Sequence, residues 1–293
     1  MKKSIGNLLL LLCTFGVAMV LQVVAALAVM LPAMIIKQVQ LINMGISDTQ
    51  KEQEILLQMT QEMTGITVCF THILLLIVFF FWYYFCCSKR QKITVTLKRT
   101  FRKTNIWKIL LLAVACCYLT NFAMPLAAMI IPENIMQSYM ELMEAAGFGN
   151  SILPTLTAVL IAPFGEELIF RGVMYHYAKG IVATIPDRKK AFYMANVIQA
   201  LAFGIFHGNL VQASYAFLLG LMMGYVRERF GSIWASILAH MAVNFVSTFL
   251  WTPVASQLPE TIGMYIVGSL ICAGIVVLGF RISGPALQEE NVI

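Results

Sequence analysis

Charge is what this chain has least of. Only 12% of its 293 residues are Asp, Glu, Lys or Arg, while 60% are hydrophobic. Soluble domains run near half apolar and about a quarter charged, so this balance excludes an ordinary soluble enzyme. There is no internal repeat and no low-complexity tract, which argues against solenoids and linker-joined modules. The seven cysteines show no Cys-x-x-Cys or zinc-type spacing. Cys13, Cys69, Cys86, Cys87, Cys116, Cys117 and Cys272 all lie in or beside apolar runs. Neither a disulfide framework nor a structural metal is implied, and buried small hydrophobes are the simpler reading. His-Glu-x-x-His, the helical zinc-protease pattern, is missing, and no motif offers a serine or cysteine nucleophile with a partnered base. The formal net charge of +6 does not call for nucleic acid as a partner. Basic residues of membrane proteins gather in cytoplasmic loops and set orientation.

What the chain does have is apolar runs. A helix needs about 20 apolar residues to cross the hydrocarbon. Candidate spans are 8–36, 66–87, 107–131, 151–178, 191–207, 210–226, 232–251 and 262–280. The fold class is therefore all-α: a polytopic membrane helix bundle of about eight transmembrane helices, in one integral membrane domain over 1–293. Lys2 and Lys3 before an apolar run resemble a signal peptide, and Ala26-Leu27-Ala28 resembles a cleavage site. The run continues from Leu8 to Ile36, however, beyond the roughly 7–15 residues of a signal core, so it is read as a retained first span. Loop charge tests the count. With the N-terminus inside, Lys89, Arg90, Lys92, Lys98, Arg99, Arg102, Lys103 and Lys108 fall inside. So do Lys179, Arg188, Lys189, Lys190, Arg227, Arg229 and Arg281. The other side receives only Lys37 and Lys51. This alternation predicts eight spans with both termini cytoplasmic.

The outer segments are acidic and have helical signals. Ser47-Asp48-Thr49-Gln50 resembles a capping box, and Leu56, Met59 and Met63 follow at helical spacing. Pro132-Glu133 opens a second stretch, with Ile135, Tyr139 and Met143 on one face and Gly147 at its end. Both are read as surface helices or as plain connectors.

The informative residues are the charges inside the spans. A charge at mid-bilayer costs about 2.5–3.5 kcal/mol on insertion scales, so it pairs or serves a function. The fourth span carries Glu166, Glu167 and Arg171. Glu167 and Arg171 stand four apart with the acid first, the favourable order for a helical ion pair. That pairing leaves Glu166 about 100° around the helix, facing another neighbour. His207 closes the fifth span, and His240 and Asn244 share a face of the seventh. A carboxylate, two imidazoles and an amide on three helices suit hydrolysis of an amide by an activated water. The carboxylate takes the proton, one histidine relays it, and the other histidine with the amide donates to the oxyanion. His72 and His176 are read as helix–helix hydrogen-bond partners. Gly220 and Gly224 form a GxxxG that lets helices approach closely.

Three segments now carry a resemblance. Glu166-Glu167-Leu168-Ile169-Phe170-Arg171, Phe203-Gly204-Ile205-Phe206-His207 and His240-Met241-Ala242-Val243-Asn244 resemble the three motifs of the CAAX-protease and bacteriocin-processing family. These are the intramembrane glutamic endopeptidases, also called the Abi family. The resemblance covers roughly 151–250, the expected catalytic core. It implies that Glu166 activates water with help from His207, that His240 and Asn244 form the oxyanion site, and that Glu167 and Arg171 hold the site's shape. It implies a metal-free, cofactor-free reaction on a peptide or membrane-associated protein substrate in a cell membrane, with a bacterial plasma membrane favoured.

Three other readings use the same residues. In a zinc protease, Glu166 and two histidines would be ligands. In a membrane scaffold or bacteriocin-immunity protein, the motifs would serve folding alone. In a proton-coupled transporter, buried Glu and His would form a relay. The C-terminus, Gln288 to Ile293, is not a prenylation box, and the sequence names no substrate. At about 1.5 Å per residue, His207 lies roughly 24 Å from the start of its span and His240 only about 12 Å from the start of its own. The two must be reconciled by tilt or by unequal helix ends.

Overall fold

The structure is a computed structural model, and it describes residues 2–44, 49–87, 97–98, 100–146 and 151–285. The capping box at Ser47, the loop residues Lys89, Arg90, Lys92 and Arg99, Gly147 and the C-terminal segment from 288 lie outside the described residues. The fold is all helix, with no strand among the described residues. In chain order come α1 (Lys2–Asn43), α2 (Thr49–Trp82, running on as a π-turn over Tyr83–Cys87), α3 (Lys103–Ala128) and α4 (Glu133–Ala146). Then follow α5 (Ile152–Ile181), α6 (Arg188–Phe206), α7 (Leu210–Phe230), α8 (Ile233–Ala255) and α9 (Ile262–Ser283).

Seven of these are long and apolar enough to cross a membrane, α4 and α6 being the exceptions among the described helices. The chain is a multi-pass integral membrane protein. The fifth of the eight expected spans, 191–207, is present as α6 but is too polar to stand with the other seven. The reason is visible in its contacts. Gln199 Nε2 donates to the Gly220 carbonyl at 3.0 Å and to Asn196 Oδ1 at 2.7 Å, while Asn196 Nδ2 donates to the Leu221 carbonyl at 3.0 Å. The N–H groups of these amides are met by the backbone of α7 and by Asn196 rather than offered to lipid, while Gln199 Oε1 is buried without a partner among the described residues.

Two spans differ from their sequence outlines. The helical stretch after Thr49 is not a separate surface helix, because α2 runs unbroken through it into the second span. With its 42 residues, α1 would be about 63 Å long at 1.5 Å per residue, roughly twice the hydrocarbon thickness. It packs along α2, so the two form a hairpin that extends beyond the bilayer. The other outer stretch does form a helix of its own. In α4, Ile135, Tyr139 and Met143 are half-buried while their neighbours are largely exposed. The helix lies against α2 and α7, with the Tyr139 and Tyr215 hydroxyls 3.5 Å apart.

Two apolar clusters form the core. One joins α1, α2, α5 and α6 around Phe79, Ile169, Phe170 and Tyr175. The other joins α3, α7 and α8 around Leu112, Met223, Phe230 and Ala239, with α9 packed along α3. The middle of α5, where Leu168 to Met174 are all buried, belongs to the first of these clusters. Small residues bring α6 and α7 together. A Cβ at Gly220 would lie 3.1 Å from Ala200 Cα, and one at Gly204 would lie 2.8 Å from the Ala213 carbonyl oxygen. Gly208 turns the chain between these helices at φ +67°, and Asn209 caps α7 by accepting from the Val211 and Gln212 amides at 2.9 and 3.2 Å.

Gly204 stands three residues before His207, and the atom its Cβ would meet is backbone, which cannot swing aside. Gly204→Ala is therefore expected to cost about 1–3 kcal/mol through overpacking. It should also displace His207. Thermal melting in detergent reads the first effect, and loss of activity beyond that explained by unfolding reads the second.

Candidate active site

The site is built on α5, whose hydrogen-bond ladder is interrupted twice. Thr157–Ile161 and Leu168–Met174 are π-turns, a feature that recurs at functional sites. The first has a local cause. The Ala162 amide donates to the Thr157 carbonyl, five residues back, and the next residue, Pro163, has no N–H to give. The Ala158 carbonyl thus loses both its α and its π partner. Asn244 Nδ2 from α8 donates to it at 2.8 Å. Asn244 therefore has one amide hydrogen engaged with α5 and a second left over.

Just beyond Pro163, the two glutamates part company. Glu167 Oε1 lies 3.0 Å from Arg171 Nη1, both side chains fully buried. The same oxygen accepts from His240 Nδ1 at 2.9 Å. Glu166 lies between two imidazoles. Its Oε1 is 3.4 Å from His72 Nε2, and its Oε2 is 3.7 Å from His240 Nε2. His240 thus spans both glutamates, held by Glu167 at one ring nitrogen and facing Glu166 with the other. Glycine makes the approach of α2 possible. A Cβ at Gly165 would lie 3.5 Å from the His72 carbonyl oxygen and 3.5 Å from the Leu76 amide nitrogen, so the backbones of α2 and α5 nearly touch one residue before Glu166.

His207 is the C-cap of α6, and its Nδ1 donates to the Phe203 carbonyl at 2.8 Å. It has no direct contact with Glu166 of the kind made by His72 and His240. Phe203 ties it to the rest. The ring of Phe203 meets His207 at 4.8 Å and His240 at 5.8 Å, both edge to face. It meets Phe170 at 5.0 Å, and the Arg171 guanidinium lies over it at 4.2 Å. The unequal depths of the two histidines are reconciled here. Phe203 is about 22 Å along α6 and His240 only about 10 Å along α8, at 1.5 Å per residue, yet their side chains touch. The starts of α6 and α8 are therefore staggered, or α6 is tilted.

Each of the contacts around Phe203 is worth about 0.5–2 kcal/mol. Phe203→Leu keeps an apolar side chain of somewhat smaller volume but loses the flat ring. It is expected to lower cleavage about tenfold while shifting the melting temperature by only a few degrees, since it loosens three site residues at once. Activity and melting measured on the same preparation separate the two effects.

The structure thus gathers Glu166, Glu167, Arg171, His240 and Asn244 on α5 and α8, with His207 joined through Phe203. It also brings in His72, which the sequence alone presents as a helix–helix hydrogen-bond partner. His72 does bond across helices, but to Glu166. Nothing local in α2 marks it, since no other ionisable residue but Cys69 stands near it in the span. His176 is exposed beside the Tyr177 ring. No group of three or more His, Cys, Asp or Glu among the described residues is arranged to hold a metal ion.

Residues 148–246 match the family model described as type II CAAX prenyl endopeptidase, Rce1-like. The chain is also similar to the candidate membrane peptidase YdiL of Bacillus subtilis (strain 168), with 28% identity over 109 residues. That match covers 37% of this chain and 41% of the relative, so it spans about two fifths of the relative's length. No solved structure gives a significant match. Residues 148–246, which contain Glu166, Glu167, Arg171, His207, His240 and Asn244, are similar to the Rce1-like type II CAAX prenyl endopeptidases.

Proposed function

We propose that the chain is an intramembrane endopeptidase in which Glu166 activates the attacking water, with 151–250 as the catalytic core. The observation that carries this reading is the setting of Glu166. It is a carboxyl buried in the bundle, with an imidazole nitrogen near each oxygen and a second glutamate tied to Arg171 beside it. An unpaired structural glutamate would find a cation. Here the cation is taken by Glu167.

The reaction follows from the hydrogen bonds. One O–H bond of water breaks, its proton passes to Glu166, and its oxygen joins the carbonyl carbon. His207, with Nδ1–H fixed on Phe203, presents Nε2 as the acceptor that helps hold and relay that proton. His240 donates its Nδ1–H to Glu167, so it stabilises the oxyanion from Nε2 only when that nitrogen is also protonated. The Glu167 carboxylate balances the resulting charge. The free amide hydrogen of Asn244 is the second oxyanion donor. The proton then goes to the leaving amine as the C–N bond breaks. Glu167 and Arg171 position these groups.

The substrate class is a peptide or a membrane-associated protein. A prenylated peptide ending in a CAAX sequence is the first probe, because the matched family bears that name. The test is cleavage of such a peptide, and of a wider peptide library, by purified protein in lipid. Wild type and Glu166→Gln are compared with and without a chelator. Cleavage that survives chelation and is lost in the variant supports a metal-free glutamate peptidase. Cleavage abolished by chelation favours the zinc reading, and absence of cleavage by either protein favours a scaffold.

A further inference from the structure

We propose that His72 shares a proton with Glu166, making a residue of α2 part of the proton-handling site. The inference rests on the peptidase reading for its catalytic meaning, but the pair itself does not require it. His72 lies outside the stretch that matches the family, residues 148–246.

The argument is one of counting protons. His72 Nδ1 lies 2.8 Å from the Val68 carbonyl, one turn back on α2. A carbonyl has no proton, so this nitrogen must carry one. Nε2 then faces Glu166 Oε1 at 3.4 Å either as a bare lone pair or as N–H. A lone pair against a carboxylate oxygen is two acceptors facing each other, which is unfavourable in a site where both side chains are largely shielded from water. The contact is satisfied only when one proton lies between them, on the imidazole or on the carboxyl. His240 meets Glu166 Oε2 under the same constraint, because its Nδ1–H is committed to Glu167. The groups facing the pair are thus His240 from α8, His207 at the end of α6, and Glu167 and Arg171 on α5 itself.

The position of His72 is fixed by backbone packing. α2 and α5 approach at Gly165 and again at Gly65, where a Cβ would lie 3.2 Å from the Pro154 ring. These two contacts set the level at which His72 meets Glu166. In the reaction His72 touches no substrate and is a positioning residue. His72 engages Oε1 and His240 engages Oε2, so the water's proton is received at a remaining lone pair of the carboxylate and later passed to the leaving amine, and the proton shared with His72 is unchanged at the end of the cycle.

The test follows the carboxyl infrared band of Glu166, identified by its loss in Glu166→Gln, as a function of pH in lipid without substrate. In His72→Gln, whose amide still donates to Oε1 but does not titrate, the midpoint of the band is expected to move by about one pH unit or more. The pH limb for cleavage of the prenylated CAAX peptide should move with it. A midpoint unchanged in a variant that melts like wild type would overturn the proposal. Where the variant misfolds, nitrogen-15 spectra of the histidines in wild type decide. A His72 ring titrating in step with the Glu166 band supports the shared proton, and independent titration overturns it. A wild type that cleaves nothing while the band still moves would sink the peptidase reading and leave the pair standing.

Discussion

Glu166→Gln is expected to remove peptide cleavage while leaving the protein folded. Glutamine keeps the shape of glutamate and its side-chain amide can still meet His72 and His240, 3.4 and 3.7 Å from the carboxyl oxygens. It cannot accept a proton from water. General-base catalysis is worth about 10²–10⁴-fold, so the rate should fall by at least that range. Removing a buried carboxyl also removes a desolvation cost, so the melting temperature in detergent should hold or rise. Cleavage rate and melting on one preparation read both halves. A variant that cleaves at the wild-type rate would remove Glu166 from the mechanism.

The second large effect is expected from Arg171→Ala, and it should appear in stability first. Arg171 and Glu167 form a fully buried pair at 3.0 Å. Breaking such a pair by deleting one partner costs about 3–5 kcal/mol, because the other charge is left buried and uncompensated. The Phe203 ring loses its cation at the same time. Activity should fall along with stability, since Glu167 also holds His240. The melting temperature should drop by several degrees or more, with cleavage reduced even below the melting range. The double variant Glu167→Gln, Arg171→Met removes both charges and should recover much of the stability without the activity, because His240 remains without its carboxylate partner. A stable but inactive Arg171→Ala would contradict the structural role of the pair.

The helical class, the apolar spans and the Glu167–Arg171 pair can all be read from the chain alone. Each depends on periodicity within one helix, and i,i+4 neighbours meet wherever a helix forms. The same is true of the face of α4 that carries Ile135, Tyr139 and Met143. The span expected at 191–207 differs for the complementary reason, because its polar residues find partners only on a neighbouring helix. Asn196 and Gln199 look costly in a span until α7 is placed beside them, with Gly220 leaving its carbonyl within reach.

By itself, then, the sequence determined that this is an α-helical membrane protein and singled out the charged and imidazole residues that lipid would not tolerate unpaired. Only the tertiary structure decided which of them meet. His72 reaches Glu166 because Gly165 lets α2 approach α5 backbone to backbone. Asn244 turns to α5 because Pro163 and the π-turn before it strand the Ala158 carbonyl. His207 joins the group through the ring of Phe203 rather than by touching Glu166. These are contacts between helices, set by where small residues allow a close crossing and where the hydrogen-bond ladder breaks. A single helix's periodicity contains no information about where its neighbours cross.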